Sequence, residues 1–189
     1  MEGIALLQRV VDTTDGVLVN ITPAQMSNQT LCTEWTVRDL LNHMVGGATM
    51  FAISAEQGSV PDEEIGRLMG GDCLGDDPKS AWDTAAKRAM AAFEAPGAME
   101  KIVKLPFGEM PAGVALNIAI FDVATHAVDL ARATGQHVAD DELLDVALTM
   151  GRQMVSPELR VPGVFGDEQA VQSTASAEDK LLAFAGRQI

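Results

Sequence analysis

Apolar positions recur at helical spacing in four long segments of the chain. Leu6, Val10, Thr13, Val17 and Ile21 form a stripe with steps of three and four, which predicts a helix from about Gly3 to Val19. Thr22-Pro23 ends it, and the stretch from Ser27 to Trp35 is polar and irregular. Val37, Leu40, Leu41, Met44 and Val45 make the second stripe. Thr36 stands before it as an N-cap with Asp39 at N3, a capping box with the shorter acid. This helix is predicted to run to Glu56 and to stop at Gly58. Gly46-Gly47 falls in its middle. Each glycine costs about 1 kcal/mol against alanine in a helix, so the pair implies a use, either close helix approach or room beside a site.

The third long helix begins with Asp77 as N-cap before Pro78 at N1 and runs to about Glu94, with Trp82, Ala85, Ala89 and Phe93 inward. The fourth opens at Pro111 and extends to Ala133, with Gly135 as its C′ stop. Between these, residues 58–76 are glycine-rich and acidic and read as a loop with one short helix near Glu63 to Met69. Met99 to Pro106 alternates around Val103 and Leu105 and predicts a strand, with Phe107-Gly108-Glu109 as its turn. A fifth helix fits Asp140 to Met154, a loop with Pro157, Pro162 and Gly163 covers Ser156 to Val171, and a capping-box pattern at Ser176–Asp179 starts a last helix to about Gly186. The expected fold class is therefore all-α. It is a four-helix bundle with a small β insertion and an extra C-terminal helix, one domain over residues 1–189.

Composition supports that reading. The chain is 47% hydrophobic, has no tyrosine, and draws its apolar residues mainly from Ala, Leu, Val and Met, of which Ala, Leu and Met are strong helix formers. The ten methionines read as adaptable core filler. A net charge of −14 speaks against a phosphate-neutralising face, so nucleic acid is not an expected partner. No apolar run is read as reaching the roughly 20 residues of a membrane span, and the start of the chain does not look like a signal peptide. The expected location is the cytoplasm, with Cys32 and Cys73 as free thiols.

The chemistry is concentrated around two of the three histidines. His43 lies among Leu40, Leu41 and Met44, and His126 lies in the apolar stretch of the fourth helix. Asp122 is four residues before His126 and Asp129 three after it, and both spacings share a helix face. An inward acid and imidazole one turn apart, with His43 from a facing helix, can share one divalent ion, which is how helical bundles build metal sites. Two His and one carboxylate would leave positions open for water or substrate. Spacing alone leaves the plain alternative open. An i,i+4 pair on a helix is worth only about a few tenths of a kcal/mol, and a buried histidine is satisfied by any core hydrogen bond.

The segments Cys32-Thr-Glu-Trp-Thr-Val-Arg-Asp-Leu-Leu-Asn-His-Met-Val-Gly-Gly and Asp-Val-Ala-Thr-His-Ala-Val-Asp-Leu-Ala-Arg-Ala-Thr-Gly, with Leu-Pro-Phe-Gly between them, resemble the metal-binding domain of mycothiol-dependent maleylpyruvate isomerases. The likeness is in particular to single-domain relatives within the DinB-like superfamily. The resemblance places the family's first histidine at His43, and its acid-x-x-x-His motif at Asp122 and His126. The family's acid is Glu, and this chain has Asp, one methylene shorter. The additional C-terminal domain of the two-domain isomerases is not expected here.

The resemblance implies a divalent-metal protein, with zinc the first choice and nickel the second, and mycothiol as a thiol cosubstrate. The implied activity is a thiol-dependent transferase or isomerase acting on a small electrophile. A homodimer is left open. The alternatives are a non-catalytic metal-binding or regulatory module and a metal-activated hydrolase. Among the other residues, Asp129 is the competitor of Asp122 as ligand, since i,i+3 also reaches; otherwise it is expected either to accept from His126 or, more in keeping with its position, to form a helix-packing salt bridge, Arg38 being a candidate partner. Asp39 is assigned to capping, Trp35 to a hydrophobic staple or the core in preference to a wall of the pocket, and His137 to a solvated loop. Cys32 has no neighbour in sequence that would activate it.

Overall fold

The structure is a computed structural model describing residues 2–32, 34–161 and 165–189. Among the described residues, seven α-helices and one two-stranded sheet follow in the order α1 (Glu2–Leu18), α2 (Val37–Gln57), α3 (Asp62–Gly70), α4 (Pro78–Glu94), β1 (Ile102–Leu105), β2 (Gly108–Pro111), α5 (Ala112–Ala133), α6 (Asp141–Met154) and α7 (Ala177–Phe184). The expected all-α class holds, and α1, α2, α4 and α5 form the four-helix core. Helix α6 packs on α5, and α7 packs on both α6 and α5.

Local signals account for most boundaries. Thr36 caps α2 with both halves of its box formed: its side chain accepts from the Asp39 N–H, and the Asp39 carboxylate accepts from the Thr36 N–H at 2.9 Å. Gly58, at φ 84°, ends α2 in the left-handed conformation. Asp77 caps α4 through the Ser80 N–H, and Asp140 caps α6 through the Leu143 N–H. The strand expected over 99–106 is one arm of a hairpin. β1 pairs antiparallel with β2 from Ile102↔Pro111 to Leu105↔Gly108, so the turn is Pro106-Phe107 and Gly108 already belongs to the second strand. Pro111 ends that strand and caps α5, where its missing N–H costs no helix bond. The loop after α6 contains one 3-10 turn at Pro157–Leu159. Pro162 and Gly163 lie outside the described residues.

Two expectations need correction. The buried face of α1 is Leu7, Val10, Thr14, Val17 and Leu18, one residue round from part of the expected stripe, because α1 faces both α4 and α5. Helix α5 is also more apolar than the sequence reading allowed. Its 22 residues include a window of mean hydropathy 1.5, long and apolar enough to cross a membrane. That window is 78% buried inside the protein, since α1, α2, α6 and α7 all pack against α5. It is the central helix, and Asp122, His126 and Asp129 sit on it.

The Gly46-Gly47 pair has a steric use. A Cβ on Gly46 would collide with the Leu68 carbonyl oxygen of α3, so this glycine lets α3 lie against α2. A Cβ on Gly47 would stand 3.9 Å from Asp122 Oδ2, an ordinary contact. Gly46→Ala should therefore destabilise the protein by about 1–3 kcal/mol through overpacking. Gly16→Ala, at a helical position with nothing within 4 Å, should stabilise it by about 0.4–1 kcal/mol. Urea unfolding of the two variants checks both signs.

Candidate metal centre

His43 projects from the second turn of α2, fixed in register by the Thr36 cap. Asp122 and His126 project from one face of α5, a turn apart. The three meet between the helices. Asp122 Oδ1 lies 3.8 Å from His43 Nε2 and 3.5 Å from His126 Nε2, and the two imidazole rings stand 5.0 Å apart edge to face. One ligand atom from each residue lies within 4.8 Å of the others. A tetrahedral zinc with bonds of about 2.0–2.1 Å separates its ligands by about 3.3 Å, so the donor set fits one such ion with small side-chain adjustments. His43 and Asp122 keep 24% and 29% of their side-chain surface exposed, leaving the group reachable from outside. Trp35 packs over it, 4.7 Å from the His43 ring and 6.3 Å from that of His126. Of the readings open for Trp35, these contacts favour the less expected one, a wall of the site.

A second group lies on the far side of the His126 ring. Nδ1 is 3.0 Å from Asp129 Oδ2. Asp129 has no exposed surface. It also accepts from the Cys32 thiol at 3.2 Å, and from Arg187 Nε at 3.2 Å and Nη2 at 2.9 Å. Cys32, His126 and Asp129 again offer ligand atoms within 4.8 Å of one another, but the Arg187 guanidinium already occupies both oxygens of the carboxylate. The arrangement compensates a buried anion, whereas the His43–Asp122–His126 side has its donors facing each other.

The electrostatics follow from this layout. Burial by itself would push the Asp122 carboxyl up, but the His126 and His43 imidazoles outweigh it and hold it well below the usual carboxylate range. Burial likewise pushes His126 down, and Asp122, Asp129 and Cys32 together more than reverse this, raising it well above its ordinary value. Asp129 is opposed by burial too, yet His126 and Arg187 bring it down to about 2.

A model of the mycothiol maleylpyruvate isomerase N-terminal domain matches residues 7–131. The chain belongs to this family. Relatives from Mycobacterium tuberculosis are the uncharacterized protein Rv0738 of strain H37Rv and the uncharacterized protein MT0763 of strain CDC 1551 / Oshkosh. Each is 36% identical over 191 residues, covering 100% of both chains. Among solved structures, the crystal structure of the mycothiol-dependent maleylpyruvate isomerase superposes with a TM-score of 0.62, and a His-to-Ala mutant of that enzyme with 0.63. Both are 20% identical, and the match covers 79% of this chain and 66% of theirs. At that identity the likeness is one of fold, and this chain spans about two thirds of those proteins' length.

Within this isomerase-family fold, several readings of single residues change. Arg38 pairs with Asp72 and the Gly75 carbonyl, away from Asp129. Asp129 does form a salt bridge, but with Arg187, and it accepts from His126 as well. His137 is exposed as expected, with 80% of its side chain accessible. In the sequence reading Cys32, considered as a thiol, was not linked to the site, and Arg187 was missed. Nothing in local spacing links either to His126, since they are 94 and 61 positions away. The Gly186-Arg187 step after an amphipathic helix was a readable cap signal.

In the metal-free protein the raised His126 favours its protonated form. Its contribution to stability is fully present below pH 6.5 and is lost as pH rises through the folded value. The depressed Asp122 contributes above pH 3.8 and loses that contribution as pH falls. The chelator-treated wild type should therefore exceed a His126→Gln variant in stability most between about pH 4 and 6.5, with the gap narrowing at higher pH. Thermal melts of both across pH 4–9 test this, and a pH-independent gap would contradict it.

Proposed function

We propose that the chain is a divalent-metal-dependent enzyme that uses a low-molecular-weight thiol, mycothiol by family, on a small electrophilic substrate as an isomerase or S-transferase. The observation that carries the reading is the convergence of His43, Asp122 and His126 on one reachable point between α2 and α5. His43 Nε2, His126 Nε2 and an Asp122 oxygen would hold the ion, zinc by ligand type. When bound, the ion would act as a Lewis acid on the thiol sulfur, lowering its pKa so that thiolate is presented at neutral pH.

The chain's own residues supply the rest. Asp129 accepts from His126 Nδ1–H, which leaves Nε2 as the free donor facing Asp122 and His43. Trp35 covers one edge of the group and limits water there. The shorter Asp122, in place of the family's glutamate, still brings Oδ1 to both imidazoles. Cys32 and Cys73 are free thiols, in keeping with a proposed cytoplasmic location. Because His126 must give up a proton to bind metal, affinity should strengthen as pH rises.

Purified protein should carry about one zinc per chain. His126→Ala should abolish metal uptake, and His43→Ala should weaken it severely. Calorimetry should show mycothiol, or a simpler cysteinyl thiol, binding the zinc-loaded protein and not the chelator-stripped one. Equal binding to both forms, or to neither, would remove the thiol mechanism. Wild-type metal content in His126→Ala would remove the site.

A further inference from the structure

We infer that Arg187 is a positioning residue for the metal centre, acting through Asp129 on the His126 ring. The inference rests on the proposed metal role of His126. The geometry is a chain of directed contacts. Arg187 presents Nε and Nη2 to the two oxygens of Asp129, at 3.2 and 2.9 Å. This fork fixes the carboxylate plane as a single point charge could not. The carboxylate in turn holds His126 Nδ1 at 3.0 Å, on the ring edge opposite the donor that faces Asp122. The Arg187 charge is permanent, so Asp129 is compensated whether or not the site holds an ion.

The fold delivers Arg187 there by a defined cap. Helix α7 ends in a Schellman turn: Gly186 takes φ 84°, its N–H reaches the Ala183 carbonyl, and the Arg187 N–H reaches the Leu182 carbonyl at 2.9 Å. Gly186 also packs so tightly on Gly166 that a Cβ would stand 2.5 Å from its Cα. Helix α7 itself is tied to α5 by Arg132, which pairs with Glu178 and Asp179. The docking of α7 on the bundle is thereby coupled to the orientation of a ring 61 positions earlier in the chain.

The sign of the effect separates positioning from plain electrostatics. Removing a cation near the site should, by Coulomb's law alone, favour a divalent ion. Positioning predicts the reverse. The full-length wild type, Arg187→Met and Arg187→Lys are compared by zinc competition against a chromogenic chelator. The zinc-free proteins are also compared by NMR of the His126 Nδ1–H proton, and circular dichroism confirms folding. Arg187→Met should bind zinc about tenfold more weakly or worse, and its Nδ1–H signal should be lost to solvent exchange. Arg187→Lys, with the charge but without the fork, should fall between Arg187→Met and wild type in both. Wild-type or tighter zinc affinity in Arg187→Met would overturn the inference, as would weaker affinity with an unchanged Nδ1–H signal. If Arg187→Met does not fold, Arg187→Lys decides, and wild-type behaviour in both measurements overturns it. If the wild type takes no zinc, the metal reading fails by itself, and the Nδ1–H signal alone decides the link from Arg187 to His126.

Discussion

A carboxylate with no exposed surface must find its compensation inside the protein, and Asp129 finds it in three parts of the chain. His126 lies one turn earlier on the same helix, Cys32 comes from the loop before α2, and Arg187 comes from the turn after α7. Breaking one partner of such a buried set costs about 3–5 kcal/mol because a charge is left unpaired. The need to satisfy Asp129 therefore constrains the loop, the bundle and the last helix together. The buried side chains meet that demand fully: among the described residues, no buried side-chain polar atom lacks a hydrogen-bond partner.

The same constraint shapes the other edge of the His126 ring. His126 has two ring nitrogens, and Asp129 takes one. The other faces Asp122 and, across the gap, His43. Two imidazoles and a carboxylate thus converge, with one ligand atom of each within 4.8 Å of the others. Against the effect of burial, Asp122, Asp129 and Cys32 around the ring raise His126, and the two imidazoles depress Asp122.

Much of this was legible from residue order. The Thr36–Asp39 cap, the Asp77-Pro78 start and the i,i+4 spacing of Asp122 and His126 are local signals, and local signals survive folding. The burial of α5 on nearly every side was less legible, because its apolar residues read equally as one wide stripe or as a core helix. The second strand was also not legible: Phe107-Gly108-Glu109 looks like a turn, but Gly108 and Glu109 pair with Leu105 and Lys104 in β2. The links from Asp129 to Cys32 and Arg187 depend on tertiary docking, and no spacing rule reaches across 97 or 58 positions. Charge pairing favoured Arg38 for Asp129 only as long as the position of α7 was unknown.

The central claim is that one divalent ion sits between α2 and α5, held by His43, Asp122 and His126. Anomalous diffraction at the zinc edge from crystals of the zinc-loaded protein tests it most directly. The account predicts one strong peak about 2.0–2.1 Å from both histidine Nε2 atoms and about 2.0–2.2 Å from an Asp122 oxygen, with Arg187 still on Asp129. A peak on Cys32 and Asp129, a peak elsewhere on the acidic surface, or no peak at full zinc loading would contradict it.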